Sequence, residues 1–175
     1  MALLGSRMIK YTIISGTNRA GSNTLKVAKQ YQEILGQKGI AADLISLEGI
    51  DLNGKDEKWV KIEKDVMIPT DKFIIILPEY NGSFPGALKT VIDMSDHRKV
   101  WPGKKALLTG ISTGRAGNLR GMDHLTGSLN YLHVHVHPNK LPISTVDKLL
   151  NDSNRITDAQ TVKAIEDQVE QFIDF

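Results

Sequence analysis

Apolar residues in this chain fall in short runs, and between the runs they recur at helical spacing. The first run, Met8 to Ser15 (MIKYTIIS), predicts a β-strand. After a Gly/Ser/Asn loop, Ser22 to Lys38 predicts a helix, with Leu25, Ala28, Gln32 and Leu35 on one spacing and Gly39 just past its end. Ile40 to Leu47 reads as a second strand, and Trp59, Ile62 and Val66 as one face of a short charged helix. Lys72 to Leu77 is the third strand and Phe84 to Ser95 the third helix. Lys105 to Ser112 is a fourth strand, and Leu119, Met122, Leu125 and Leu129 mark a fourth helix. Leu132 to His137 reads as a fifth strand, the polar stretch 138–158 as surface wrapping, and Val162, Ile165, Val169 and Phe172 as a C-terminal helix.

Strand alternates with helix five times, an order that predicts an α/β fold with a parallel sheet and helices on both faces. The third strand, Phe73-Ile-Ile-Ile-Leu77, is apolar without alternation, as a strand covered on both faces must be. In such sheets ligands bind outside the carboxyl ends of the strands. Three loops fall there, at 15–22, 78–83 and 112–118, and all are rich in Gly, Ser, Thr and Asn.

Composition narrows the chemistry. At 175 residues one domain is expected, spanning 8–175, with Met1 to Arg7 as an N-terminal extension. The formal charge of +2 gives no electrostatic case for nucleic acid or a membrane surface. The central aliphatic run is too short to span a bilayer, and no secretory leader is apparent, so a cytoplasmic location is expected. Cysteine is absent, which excludes disulfides, thiolate nucleophiles and cysteine metal sites. Any redox chemistry must be carried by a bound cofactor.

The first loop, Ser15-Gly-Thr-Asn-Arg-Ala-Gly-Ser22, matches neither the G-x-G-x-x-G fingerprint nor a Walker loop. It nevertheless has what a phosphate needs: Gly16 and Gly21 for close backbone approach, hydroxyls on Thr17 and Ser22, the forked donors of Arg19, and a helix N-terminus. The same residues also suit an ordinary helix start with Ser22 as N-cap. In the second loop Pro78 ends the strand ladder, Asn81-Gly82 makes a turn, and Pro85 begins the next helix, with Ser83 or Phe84 near the cap. None of this accounts for Glu79 and Tyr80. Exposed amides beside an aromatic would suit a flat heteroaromatic ring.

Gly16-Thr-Asn-Arg19-Ala-Gly-Ser22 resembles the G-S-x-R-x-x-S phosphate loop of the NAD(P)H-dependent FMN reductase family, with Thr17 in place of serine. Pro78-Glu-Tyr-Asn-Gly-Ser83, followed by Pro85-Gly-Ala-Leu-Lys89 and Asp93, is similar to that family's second signature. The resemblance implies a flavodoxin-like three-layer sandwich with a five-stranded sheet in the order 2-1-3-4-5. It implies FMN as cofactor and NADPH or NADH as hydride donor, with a quinone, free flavin, azo compound or metal oxyanion as acceptor. Thr17, Arg19, Ser22 and Asn23 would then hold the FMN phosphate, and Pro78, Glu79, Tyr80, Asn81, Gly82 and Ser83 would lie along the ring. Ser112, Thr113 and Gly114 would neighbour the flavin, while Arg115 would either meet a nucleotide phosphate or, as the favoured reading, face water. The resemblance also implies a homodimer or homotetramer. A flavodoxin-type electron carrier and an FMN-binding regulatory protein without turnover are the alternatives; the near-neutral charge disfavours the carrier, which is usually strongly acidic.

His133, His135 and His137 alternate and so are expected on one face of the fifth strand, though without the accompanying ligands a metal would need. His97 and His124 read as surface residues, Trp59 as core, and Trp101 as an exposed ring near an interface.

Overall fold

The computed structural model describes residues 8–175; the stretch read as an N-terminal extension, 1–7, lies outside them. Six strands form one sheet in the order β2-β1-β3-β4-β5, with β6 also on β4, and every pairing is parallel. The strands are β1 (Tyr11–Ser15), β2 (Ala42–Ser46), β3 (Lys72–Pro78), β4 (Lys105–Ile111), β5 (His135–Val136) and β6 (Leu141–Ile143). The helices are α1 (Asn23–Gln37), α2 (Glu57–Ile62), α3 (Gly86–Met94), α4 (Leu119–Tyr131), α5 (Val146–Leu149) and α6 (Ala159–Asp174). This is the expected flavodoxin-like sandwich.

The sheet separates two apolar layers. On one face Ile14, Phe73, Ile75, Leu77, Ala106 and Leu108 pack against Trp59, Leu88, Val91, Met122 and Leu125 from α2, α3 and α4. On the other, Ile13, Ile74, Ile76 and Leu107 meet Val27, Tyr31, Ile165, Val169 and Phe172 from α1 and α6. All seven residues of β3 are buried, because helices cover it on both sides. Burial of that uninterrupted aliphatic strand is the main hydrophobic contribution at the centre of the sheet.

Several expectations are corrected. The buried stripe of α1 runs through Thr24, Val27, Ala28, Tyr31, Ile34 and Leu35, with Leu25 and Gln32 at its half-buried margins. The stripe is displaced because Tyr31 turns inward, where its hydroxyl bonds Thr109 at 2.8 Å and Gln168 at 2.7 Å. The helix containing Trp59 continues as a π-helical turn, Glu63–Met67, so Trp59 and Met67 both reach the core. Trp101 is not an exposed interface residue: it is fully buried against Phe73, with ring centroids 5.2 Å apart, and donates its indole N–H to Ser95 Oγ at 2.6 Å.

The largest departure is the fifth strand. Only His135 and Val136 pair with β4, and the position is completed by Leu141–Ile143 from the stretch read as surface wrapping. His133 adopts φ 60°, which places it outside any strand. The three histidines therefore do not share a strand face, and among the described residues no group of three or more His, Cys, Asp or Glu is placed to hold a metal. His137 is buried, edge-on to Phe172 and Phe175, and its Nδ1 accepts the Asn139 N–H at 3.2 Å. Beside it, buried Lys72 donates to the Phe172 and Ile173 carbonyls at 2.9 and 2.8 Å, closing the C-terminal end of α6.

Burial, with Lys72 nearby, holds the His137 imidazole below its ordinary pKa. The unfolded chain thus binds the proton more readily than the fold does. Stability is full above about pH 6.5 and falls as pH drops through that ordinary histidine value. The midpoint of urea unfolding is expected to fall between pH 7 and 5, and to fall less in His137→Gln. An identical fall in both proteins would refute this role for His137.

Candidate functional site

Adjacent parallel strands β1 and β3 bring their exit loops side by side, because helices leave them on opposite faces of the sheet. The first loop begins with Gly16, whose N–H bonds the Ile76 carbonyl at 2.8 Å. A side chain there would meet that carbonyl oxygen at 2.9 Å and Leu88 Cδ2 at 3.1 Å, so only glycine lets the loop lie on β3. The loop ends at Ser22, which caps α1 by accepting the Leu25 N–H on Oγ. That bond leaves the Ser22 hydroxyl proton available. Asn23 and Thr24 then offer first-turn N–H groups that have no partner inside the helix.

The second loop is a two-residue hairpin. Tyr80 and Ser83 exchange backbone hydrogen bonds at 2.9 and 3.2 Å around Asn81 and Gly82, whose φ angles are 52° and 77°. Glu79 donates its N–H to the Ile111 carbonyl at 2.9 Å. The amides of Glu79, Tyr80 and Ser83 are thus committed within the protein. Those of Asn81 and Gly82 have no partner among the described residues. Pro85 itself caps α3, one residue later than expected.

Side chains clasp the two loops together. Thr17 Oγ1 and Tyr80 OH lie 2.7 Å apart, and the Arg19 guanidinium carbon stands 4.1 Å above the Tyr80 ring. Thr17 also accepts the Arg19 N–H at 3.3 Å. Between the loops and β4 opens a cleft of about 490 Å³, within the range of small-molecule sites, about 300–1,000 Å³. Of the residues singled out in the sequence, Arg19, Ser22, Asn23, Pro78, Glu79, Tyr80, Asn81, Ser112 and Thr113 line it. Thr17, Gly82, Ser83 and Gly114 do not. Thr17 is buried beneath Tyr80, and Ser83 turns to His124, with Oγ and Nδ1 2.9 Å apart; His124 is exposed at the surface, as expected, and is bonded to the site's loop.

The third loop is largely held by its own bonds. Ser112 Oγ donates to the Gly114 carbonyl and accepts the Gly117 N–H, both at 2.9 Å, which occupies its hydroxyl. Arg115 is exposed, as expected. Sequence reasoning missed Thr24, a buried polar residue in the cleft wall, and the apolar wall formed by Ile111 and Val146. Val146 comes from the region read as irregular, and reaches the cleft because β6 pairs beside β4 and the Val146 N–H bonds the Ser112 carbonyl at 3.0 Å. Arg19 and the α1 N-terminus give the cleft donors that favour an anion, and Asn81, whose N–H has no partner among the described residues, also lines it.

The model of the NADPH-dependent FMN reductase family matches residues 9–148. An NAD(P)H-dependent FMN reductase of Pseudomonas aeruginosa is 30% identical over 173 residues, covering 93% of this chain and 92% of that protein. A 2-hydroxy-1,4-benzoquinone reductase of a Burkholderia species is 27% identical over 134 residues, 72% of this chain and 73% of that one. Among solved structures, the flavoenzyme FerB, an NAD(P)H:(acceptor) oxidoreductase of Paracoccus denitrificans, superposes with a TM-score of 0.73 at 22% identity, covering 95% and 96% of the two chains.

The contact at Gly16 carries a stability prediction. Gly16→Ala is expected to lower the free energy of unfolding by about 1–3 kcal/mol through overpacking against β3, measured by urea titration. A change below 0.5 kcal/mol would show that the loop yields without strain.

Proposed function

The chain belongs to the NADPH-dependent FMN reductase family, and we propose that its cleft holds FMN with the phosphate on the first loop and the pyrimidine edge of the ring on the second. As a member it is an NAD(P)H-dependent oxidoreductase with FMN as cofactor. The observation that carries the proposed placement is the uncommitted amide of Asn81 in the wall of a cleft that the anion-suited first loop also lines. The residues present fit the group. Arg19 supplies a forked cation, Ser22 a free hydroxyl proton, and Ala20, Gly21, Asn23 and Thr24 a backbone rim for a phosphate. Ile111 and Val146 give an apolar wall, and Asn81 gives an amide donor suited to a carbonyl or ring-nitrogen acceptor.

The chemistry FMN supplies when bound is acceptance of hydride from NADPH or NADH and delivery of electrons to an acceptor such as a quinone, a free flavin, an azo compound or a metal oxyanion. The protein's part is to bind and orient. Thr17 locks Tyr80 by its hydroxyl, and Tyr80 in turn supports the Arg19 guanidinium, so the two halves of the cleft are held in register before any ligand arrives. Glu79 lines the cleft with its backbone anchored on Ile111, which fixes the loop rather than leaving it to close on the ring. Among the described residues no triad of nucleophile, base and orienting acid lines the cleft, and none is required when the cofactor performs the transfer. The near-neutral net charge favours turnover on small molecules over docking as an electron carrier. The family resemblance further supports a cytoplasmic homodimer or homotetramer, which sedimentation velocity of the purified protein checks.

The placement is tested by ligand pairs. Arg19→Ala is expected to weaken FMN binding roughly tenfold or more while leaving riboflavin binding near the wild-type value, because only FMN has a phosphate for the guanidinium. Fluorescence quenching titrations read both constants, and equal loss for the two ligands would reject the phosphate role. Anaerobic addition of NADPH or NADH to the yellow protein should bleach its absorbance; a spectrum unchanged by both nucleotides would favour the regulatory reading instead.

A further inference from the structure

We propose that Asn118 is the positioning residue of the ring-binding loop, acting through the carbonyls of Leu77 and Pro78. Asn118 sits at the start of α4, fully buried, with φ 60°. At such a position an asparagine normally accepts an N–H of the helix it precedes. This one makes no such bond. Its amide instead crosses to β3, where Nδ2 donates to the Leu77 carbonyl at 3.1 Å and to the Pro78 carbonyl at 2.9 Å. The cost is visible: Oδ1 is buried without a partner. The amide lies against Gly121, where a Cβ would fall 2.1 Å from Oδ1, so the cavity for it exists only because residue 121 has no side chain.

The two carbonyls are the last of β3 before the loop. On the β1 side the ladder has already ended, with Ser15 opposite Ile76 and the Gly16 N–H on the Ile76 carbonyl. Pro78 has no N–H to contribute. Beyond Ile76 the chain is therefore guided by β4 and by Asn118. Fixing both carbonyls fixes two successive peptide planes. That in turn aims the Glu79 N–H at Ile111 and sets the direction in which the Tyr80–Ser83 hairpin, with the free amides of Asn81 and Gly82, leaves the sheet. Glycine would satisfy a positive φ without strain. What asparagine adds is the pair of donors, and with them an orientation.

The inference rests on the proposed FMN placement, and its test separates the two. Asn118→Gly keeps the backbone conformation and removes both donors. It is expected to weaken riboflavin and FMN by the same factor, about tenfold, because the loss falls on the ring end, while the unfolding temperature of the flavin-free protein stays within a few degrees of wild type. Hydrogen exchange of the 78–83 backbone should quicken in the variant. A second variant, Asn118→Asp, retains the shape and regains one donor when its carboxyl is protonated. Its affinity for riboflavin, which has no phosphate to titrate, should rise as pH falls from 7 to 5, and the wild type should show no such rise. Unchanged flavin affinity in Asn118→Gly, a loss confined to FMN, or failure of both variants to fold would each overturn the role. Absence of flavin binding by the wild-type protein would instead reject the placement on which the role rests.

Discussion

The parallel pairing of β1 with β3 is the constraint from which the rest of the molecule follows. A parallel pair has to be joined by a crossover, and here two crossovers leave the same pair of strands toward opposite faces of the sheet. Two chain exits then stand side by side with no helix between them. The gap is an unavoidable product of topology. Its chemistry is local: glycine at residue 16 because no side chain fits over β3, a serine cap at residue 22, and a hairpin at 80–83 with both turn residues at positive φ. The fold guarantees a crevice, and a small number of residues make it a site.

Those residues are held by one another more than by the surrounding core. Thr17 is bonded to Tyr80, Tyr80 supports Arg19, Asn118 grips the end of β3, and His124 reaches Ser83. None of the four contacts is a helix or strand bond, and three of them join segments more than forty residues apart in sequence. Preorganisation of this kind lowers the ordering cost of binding.

Much of this was legible in the sequence, for physical reasons that can be named. Long periodic segments such as 23–37 and the uninterrupted apolar run of β3 predicted their own structure, and the strand order followed from the resemblance of the two loops. Local pattern failed where a long-range partner decided the outcome. The inward turn of Tyr31 depends on Thr109 and Gln168, neither of which neighbours it in the chain. The alternation of His133, His135 and His137 is a strand pattern, yet only two strand residues form, because His133 takes φ 60° and Pro138 has no N–H to continue the ladder. Leu141–Ile143 is too short and polar in context to announce itself, and it becomes a strand because β4 extends beyond β5 and accepts it. Likewise Asn118 reads as an ordinary helix cap in sequence, yet in the fold its amide is directed to the Leu77 and Pro78 carbonyls, forty or more residues away.

The divided fifth strand has a consequence for how the molecule behaves among copies of itself. An edge strand is a row of open donors and acceptors, and a long flat one recruits further strands into aggregates. On this side of the sheet the edge is broken into segments of two and three residues with Pro138 between them and Pro142 inside the second. Neither piece is long enough to template a neighbour, and neither proline has an amide to offer. What is irregular as architecture thus serves as a guard on colloidal stability, at the flank of the sheet most removed from β2.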